Sequence, residues 1–311
     1  MNAARQFVYL MDEEKNFLKT LLYFDLFNYP LTADEIIQYS SGLTYFPPDR
    51  VLQNLISQKM LFQFQNFYSL QNDPALVLRR LRGNALAEKK IKTAKIFSRL
   101  VYCLPFVRAV MLSGSISKGY MDEKSDIDYF IITEKNRLWL VRTALALFRR
   151  VFLFNSGKNL CTNYFIDTQN LEIQEKNIFT AIELVTLKPM CGSSEILKFR
   201  MANPWAFSFL PNIPEEKASP TDTNHLLKAV IENFFSSSAI DRFNQWLMNK
   251  IFSYWKQRYG YEMDATDFRI AFRSTPGISR SHPQFFQKKI LTRYDQKIRE
   301  FEIQYGIDLS L

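Results

Sequence analysis

Apolar positions recur at helical spacing from the start of the chain. Between residues 14 and 27, Phe17, Leu18, Leu21, Leu22 and Phe24 line one helical face. Pro30 closes that helix. Thr32 with Glu35 three residues on forms a capping-box pattern, so a second helix starts there and runs to about Tyr39. Pro47-Pro48-Asp49 opens a third, with Val51, Leu52, Leu55 and Ile56 on its inner side. Met60–Phe64 and Phe67–Leu70 then read as two short strands around Gln65-Asn66. Three helices followed by a hairpin is the element order of a winged helix-turn-helix, which is the expectation for residues 1–74.

One long helix rich in Leu, Lys and Arg is predicted over residues 75–102, within a connecting segment at 75–104. Val107–Leu112 and Ile127–Thr133 are predicted strands, Arg137–Phe154 a helix, and Leu160–Asp167 a further strand. Phe179–Leu187 is predicted helical, ending before Pro189, and Gly192-Ser193 starts another helix. Strands alternating with helices make residues 105–210 an α/β unit inside an α+β chain. Residues 211–224, rich in Pro, Glu, Ser and Thr, read as a surface linker. Residues 225–311 are expected to be helical, with aromatic spacing through Phe234, Phe235, Phe243, Trp246, Phe252 and Trp255 and a terminal helix over about Pro283–Tyr305. No internal repeat is visible.

Composition narrows the class. With 47% apolar residues, including 28 Phe and 15 Tyr, the chain has ample material for packed cores and is not disordered by composition. A formal charge of +9 suits a polyanionic partner such as a nucleotide. Cys103, Cys161 and Cys191 show no CxxC spacing and read as thiols of a reducing compartment. With His225 and His282 as the two histidines, a zinc site is not expected. Met1–Glu14 has no apolar core of signal-peptide type. The most apolar stretch, Leu138–Phe154, is interrupted by Arg142, Arg149 and Arg150, so no membrane span is expected and the chain reads as cytoplasmic.

Candidate chemistry concentrates in Leu112-Ser113-Gly114-Ser115-Ile116-Ser117-Lys118-Gly119 and in Ser125-Asp126-Ile127-Asp128-Tyr129-Phe130-Ile131-Ile132. Glycine lets backbone approach a phosphate closely, and a following helix offers unpaired N–H groups to an anion. Gly114, Ser115 and Gly119 fit that use, and Lys118 can bring an ammonium to a triphosphate tail. Asp is disfavoured in strand interiors. On a strand, Asp126 and Asp128 are expected to project from one face. Two carboxylates held so close repel unless a cation bridges them, and all-oxygen ligands suit Mg²⁺.

Gly114-Ser115-x-Ser117-Lys118-Gly119 followed by Ser125-Asp126-Ile127-Asp128 resembles the signature of the nucleotidyltransferase superfamily that includes DNA polymerase beta and the aminoglycoside-modifying nucleotidyltransferases. The likeness is strongest over residues 105–135 and extends by element order to about 190. It implies a mixed sheet with helices, and an enzyme that moves a nucleoside monophosphate from an NTP, such as ATP, to an acceptor hydroxyl. It further implies Mg²⁺ on Asp126 and Asp128, and nucleotide contacts from Gly114, Ser115, Ser117, Lys118 and Gly119.

Active members carry a third carboxylate on a later strand. Here the mid-strand position of the expected strand is Asn163, an amide that cannot act as a base. Asp167 is the catalytic candidate in its place, although four residues at roughly 3.3 Å each carry it about 13 Å further on. Glu183, on the following helix, is another candidate for that acid, and Asn163 and Glu183 are also candidate contacts for phosphate or acceptor. Near the end, Phe272–Pro283 reads as a basic loop, and Arg273, Arg280 and Lys288 are candidate contacts for phosphate or acceptor. The third helix offers Arg50, Gln53, Asn54, Ser57 and Lys59 to solvent, which is few basic groups for a groove reader. Nucleic acid is therefore not the favoured partner. The alternative to an active enzyme is a nucleotide-binding regulator whose winged helix touches DNA or another protein.

Overall fold

The structure, a computed structural model, describes residues 10–214, 226–235, 237–261, 263–264, 268–269, 271–281 and 286–310. Most of the expected 211–224 linker, both histidines and the start of the expected terminal helix lie outside the described residues.

The N-terminal unit contains α1 (Asp12–Asp25), β1 (Leu31–Thr32), α2 (Ala33–Gln38), α3 (Pro48–Ser57), β2 (Phe62–Phe64) and β3 (Phe67–Ser69). Its three strands are ordered β1-β3-β2, and β1 escaped the sequence reading because two residues carry no period. The capping box forms as its spacing requires. Thr32 Oγ1 accepts from the Glu35 amide at 3.3 Å, and Glu35 Oε2 accepts from the Thr32 amide at 2.9 Å. Glu35 also takes both arms of Arg80, each at 2.6 Å. Arg80 stacks over Tyr29 and Phe67. It belongs to α4 (Ala75–Tyr102), the long connecting helix, which is thereby fastened to the N-terminal unit.

The second sheet is built from β4 (Val107–Ser113), β5 (Asp128–Thr133), β6 (Cys161–Asp167) and β7 (Lys188–Cys191), joined by β8 (Ser274–Thr275) and β9 (Ile278–Arg280). Its order is β7-β4-β5-β6-β9-β8, with β5 and β6 parallel and the remaining neighbours antiparallel. The mixed sheet with its many helices fits an α+β nucleotidyltransferase. A parallel pair needs a crossover, which α6 (Leu138–Phe152) supplies between β5 and β6.

Strand alternation separates two faces. Val110, Leu112, Tyr129, Ile131 and Phe165 pack with Trp139 of α6 and with Trp255 of a later helix (Ser238–Tyr259). Ala109, Met111, Phe130, Ile132 and Ile166 pack with Ile196 and Phe199 of α8 (Ser193–Ala202). A third cluster joins the N-terminal unit to α7 (Ile178–Val185), to Ala206 of α9 (Pro204–Phe209), and to Ile290 and Phe301 of the final helix. Counting α10 (Leu226–Phe234) and α11 (Ser238–Tyr259), that final helix is α12 (Phe286–Tyr305). Among the described residues, no helix is long and apolar enough to cross a membrane.

Two elements correct the sequence reading. β7, including Pro189, replaces a loop, and Pro is tolerated because β7 is an edge strand. The basic stretch expected to be a loop contains the β8–β9 hairpin, which extends the sheet beside β6. Five Ser, Thr, Pro and Gly residues among the seven from Ser274 to Arg280 hid its alternation, because partnering with β6, rather than local pattern, makes it a strand.

Candidate functional site

β4 ends at Ser113, opposite Asp128, the first residue of β5. The chain then turns through Gly114 (φ +67°) into the four-residue helix α5 (Gly114–Ser117). A Cβ at 114 would stand 2.6 Å from Asp128 Oδ2. Gly114 is therefore required twice, by its left-handed backbone and by the carboxylate packed against it. The sequence reading assigned that closeness to a phosphate; the structure gives it to Asp128. The Gly114 carbonyl accepts from Ser117 Oγ at 2.8 Å and from Lys118 Nζ at 3.2 Å. Gly119 (φ +72°) closes the turn, its carbonyl accepting from Asn84 Nδ2 of α4 at 2.6 Å. Ser115, half-buried, lies between these anchors.

The two aspartates do not share a strand. Asp126 is exposed in the loop before β5. That loop is folded by Asp122, whose Oδ1 accepts from Ser125 Oγ at 2.8 Å and from the Lys124 amide at 2.9 Å. Backbone bonds from the Ile127 amide to the Lys158 carbonyl and from the Cys161 amide to the Ile127 carbonyl bring residues 157–161 alongside. A Cβ at Gly157 would lie 3.3 Å from Asp126 Oδ2.

Asp128 is largely buried, and its carboxyl is pushed up to about 6. Burial is the main cause, reinforced by the charges of Asp126 and Glu183 and opposed by a hydrogen bond with Cys161 and by Lys118. The Cys161 thiol is itself pushed up to about 12, by burial and then by the Asp128 charge. Asn163 Nδ2 donates to Asp128 Oδ1 at 3.3 Å and to Cys161 Sγ at 3.1 Å. Asn163 sits at an irregularity in the β5–β6 register, between the Tyr129–Thr162 and Phe130–Tyr164 pairs. Glu183 of α7 bonds Lys118 Nζ at 2.8 Å, so this acid and the turn lysine meet beside Asp128.

Asp167 is not brought to the site. In the parallel register Cys161 faces Asp128, whereas Asp167 faces Thr133 at the other end of the strands. It is buried, and its Oδ1 accepts from the Gln169 amide at 3.0 Å and from Asn170 Nδ2 at 2.7 Å, which closes the turn after β6. Arg273 bonds Glu175 at 2.8 Å, with Arg280 3.8 Å from the same acid, so both serve the β8–β9 edge. Lys288 is exposed on α12.

A cavity escaped the sequence reading, although one of its residues, Asn163, did not. Arg142 and Arg149 of α6, with Thr162, Asn163, Trp255, Tyr259, Phe272 and Ser281, line a volume of about 250 Å³. Two arginines seven apart on an apolar helix were the available signal, and they were read only as breaking a membrane span.

The site consists of a strand, a tight Gly-Ser turn and a second strand opening on an acid, beside a β-α-β crossover. Residues 90–189 match the family model of the nucleotidyltransferase domain, which supports that superfamily for this part of the chain and, with it, a transferase. No curated protein and no solved structure matches the chain. A nucleotidyltransferase domain implies a nucleotide substrate and suggests transfer of nucleotidyl groups. Among the described residues, no group of three or more His, Cys, Asp and Glu side chains stands together as a metal site.

Proposed function

We propose that the chain transfers a nucleoside monophosphate from an NTP to an acceptor hydroxyl, with Mg²⁺ held by Asp126 and Asp128. The observation that carries this reading is the cost of Asp128. A desolvated carboxylate, its affinity for a proton raised by burial and by the charges of Asp126 and Glu183, is kept against a turn that only glycine allows. Such a group is costly in the free protein and suits one that is completed by a cation. The donor set fits Mg²⁺, which characteristically takes one or two carboxylates and fills its remaining positions with water and substrate phosphates. Once bound, the ion would neutralise charge developing at the α-phosphorus and on the leaving pyrophosphate.

The residues of this chain have separate tasks in that reaction. Asp128, backed by Cys161 and Asn163, is held in one orientation. Ser115 and the amides of the turn meet the terminal phosphates. Lys118, swung between the Gly114 carbonyl and Glu183, supplies positive charge at the rim. The acceptor oxygen attacks the α-phosphorus, the bond from that phosphorus to the bridging oxygen breaks, and pyrophosphate leaves with the electron pair. The acceptor proton passes to solvent, since Asn163 has no basic oxygen to take it.

Asn163 favours a second reading, in which the site binds nucleotide with little or no turnover and regulates something else. The N-terminal unit would then be the output. We read its helix-strand-helix-helix-hairpin order as a winged helix, used for protein contact rather than DNA. On α3, Asn54 is bonded to Glu14, and the helix carries one basic residue, Arg50, few for a groove reader.

Calorimetric titration with ATP, GTP, CTP and UTP in Mg²⁺ tests the common premise. The expected result is binding by the native chain and loss in the Asp126→Asn/Asp128→Asn double variant. No binding by the native chain, or equal binding by the variant, overturns the proposal. Pyrophosphate release with an acceptor panel then separates enzyme from regulator.

A further inference from the structure

The cavity beside Asn163 has an electrostatic imbalance that the nucleotide site does not explain. Arg142 Nη1 and Arg149 Nε are shielded from solvent and have no hydrogen-bond partner. Among the described residues neither arginine has a carboxylate partner. Among the described residues, Arg142 donates to one acceptor, Ser281 Oγ at 3.0 Å, and lies over the ring faces of Trp255 and Phe165 at 4.9 and 5.1 Å. Ring faces return a fraction of the hydration that a buried guanidinium loses. Burial, and then the charge of Arg149, lower the Arg142 guanidinium to about 9. A cation kept in that condition awaits an anion.

We propose that this cavity binds the anionic group of the acceptor, a phosphate or carboxylate carried next to a flat or apolar body. Arg142 offers a fork suited to two oxygens, Arg149 a second donor, and Thr162 and Ser281 hydroxyls complete a polar end. Trp255, Tyr259 and Phe272 supply the aromatic part of the lining, Trp255 against Arg142 itself. Asn163 lines this cavity and also donates to Asp128, so one side chain links the cavity to the proposed transfer centre. The assignment of that ligand as the acceptor rests on the nucleotidyl-transfer reading; the anion site itself does not. It separates this chain's acceptor from polycationic ones, which two arginines without a carboxylate partner would repel.

Phenyl phosphate is the probe, with inorganic phosphate and benzoate as arms that separate the phosphate, carboxylate and ring contributions, and phenol as the uncharged control. Calorimetry without Mg²⁺ or NTP is expected to show phenyl phosphate binding to the native chain. Arg142→Gln and Arg149→Gln each weaken it by about tenfold, the loss of one charge-assisted hydrogen bond set. Urea unfolding supplies a second readout. Without ligand, Arg142→Gln is at least as stable as the native chain, whereas a structural arginine would be missed. The proposal is overturned by absent phenyl phosphate binding, by unchanged binding in both arginine variants, or by displacement of phenyl phosphate by NTP, which would make the cavity part of the triphosphate site. Phenyl phosphate bound without any NTP affinity leaves the anion site standing and removes the nucleotidyl-transfer reading.

Discussion

Asp128→Asn should make the protein more stable and remove nucleotide binding together. The folded protein holds the Asp128 carboxyl at about 6, against an ordinary value of 3.8. At 1.36 kcal/mol per decade, that gap is worth about 3 kcal/mol when the group is ionised in both states. The carboxyl retains solvent on its outer side and its Cys161 bond weakens in an amide, so a gain of about 1–2 kcal/mol is the expectation near pH 8. The raised value fixes the sign. The folded state binds the proton more tightly than the unfolded chain, so the stabilisation is complete below about 4 and is lost as pH rises through about 6. Asn cannot ionise, so the variant escapes that loss, and its advantage over the native chain grows with pH. Equilibrium urea unfolding in metal-free buffer at about pH 4.5, 6 and 8 measures it. Adding Mg²⁺ with NTP should then stabilise the native chain and leave the variant unmoved. A variant less stable than the native chain at pH 8, or a difference that is flat with pH, would refute the argument that Asp128 is a strained group completed by a cation.

Further outcomes follow from named contacts. Gly114→Ala forces a Cβ against Asp128 Oδ2 in a left-handed backbone, and should cost about 1–3 kcal/mol in urea unfolding while weakening NTP binding in calorimetry. Asn163→Asp supplies the missing carboxylate beside Asp128; it should lower metal-free stability at pH 8 and, with Mg²⁺, raise pyrophosphate release by about a hundredfold if proton removal limits turnover. Arg80→Ala leaves Glu35 without its bidentate partner and opens the joint between α4 and the N-terminal unit, a loss of about 3 kcal/mol by thermal or urea unfolding. Gly192→Ala brings a Cβ into the Arg108 carbonyl at a φ of +90°, so its melting temperature should fall with no direct effect on the arginine cavity.

Legibility in the sequence tracked how local each cause was. The helices α1 and α3 came from periodicity, the Thr32–Glu35 cap from two residues three apart and α4 from a Leu-, Lys- and Arg-rich composition, because those causes are local. The core strands β4, β5 and β6 are long apolar runs and were found within a residue or two. β1, β7 and the β8–β9 hairpin were not found. They are two to four residues long, one contains Pro, and each exists because a distant strand offers it hydrogen bonds. The third apolar cluster was equally invisible, since it joins residues near 20 to residues near 180 and 300.

The same division runs through the site, and it explains why the carboxylate question turned out as it did. The Gly-Ser turn and the aspartates are close in sequence, so their proximity was readable, though not that Asp126 sits outside the strand. Choosing among Asn163, Asp167 and Glu183 required the β5–β6 register, and register is a property of two strands. Once Cys161 faces Asp128, Asp167 is carried to the far end and Asn163 is delivered to the aspartate. Glu183 arrives from α7 through Lys118, a contact spanning 65 positions. Lys118 thus has a partner in the free protein that nucleotide phosphate would compete for. If phosphate wins, Lys118 leaves Glu183, and Glu183 becomes the one nearby acid freed by nucleotide itself. Glu183→Gln should then leave NTP affinity unchanged or tighter in calorimetry, by releasing Lys118, while slowing pyrophosphate release. Weakened NTP binding in that variant would instead mean that Glu183 holds Lys118 in its binding position.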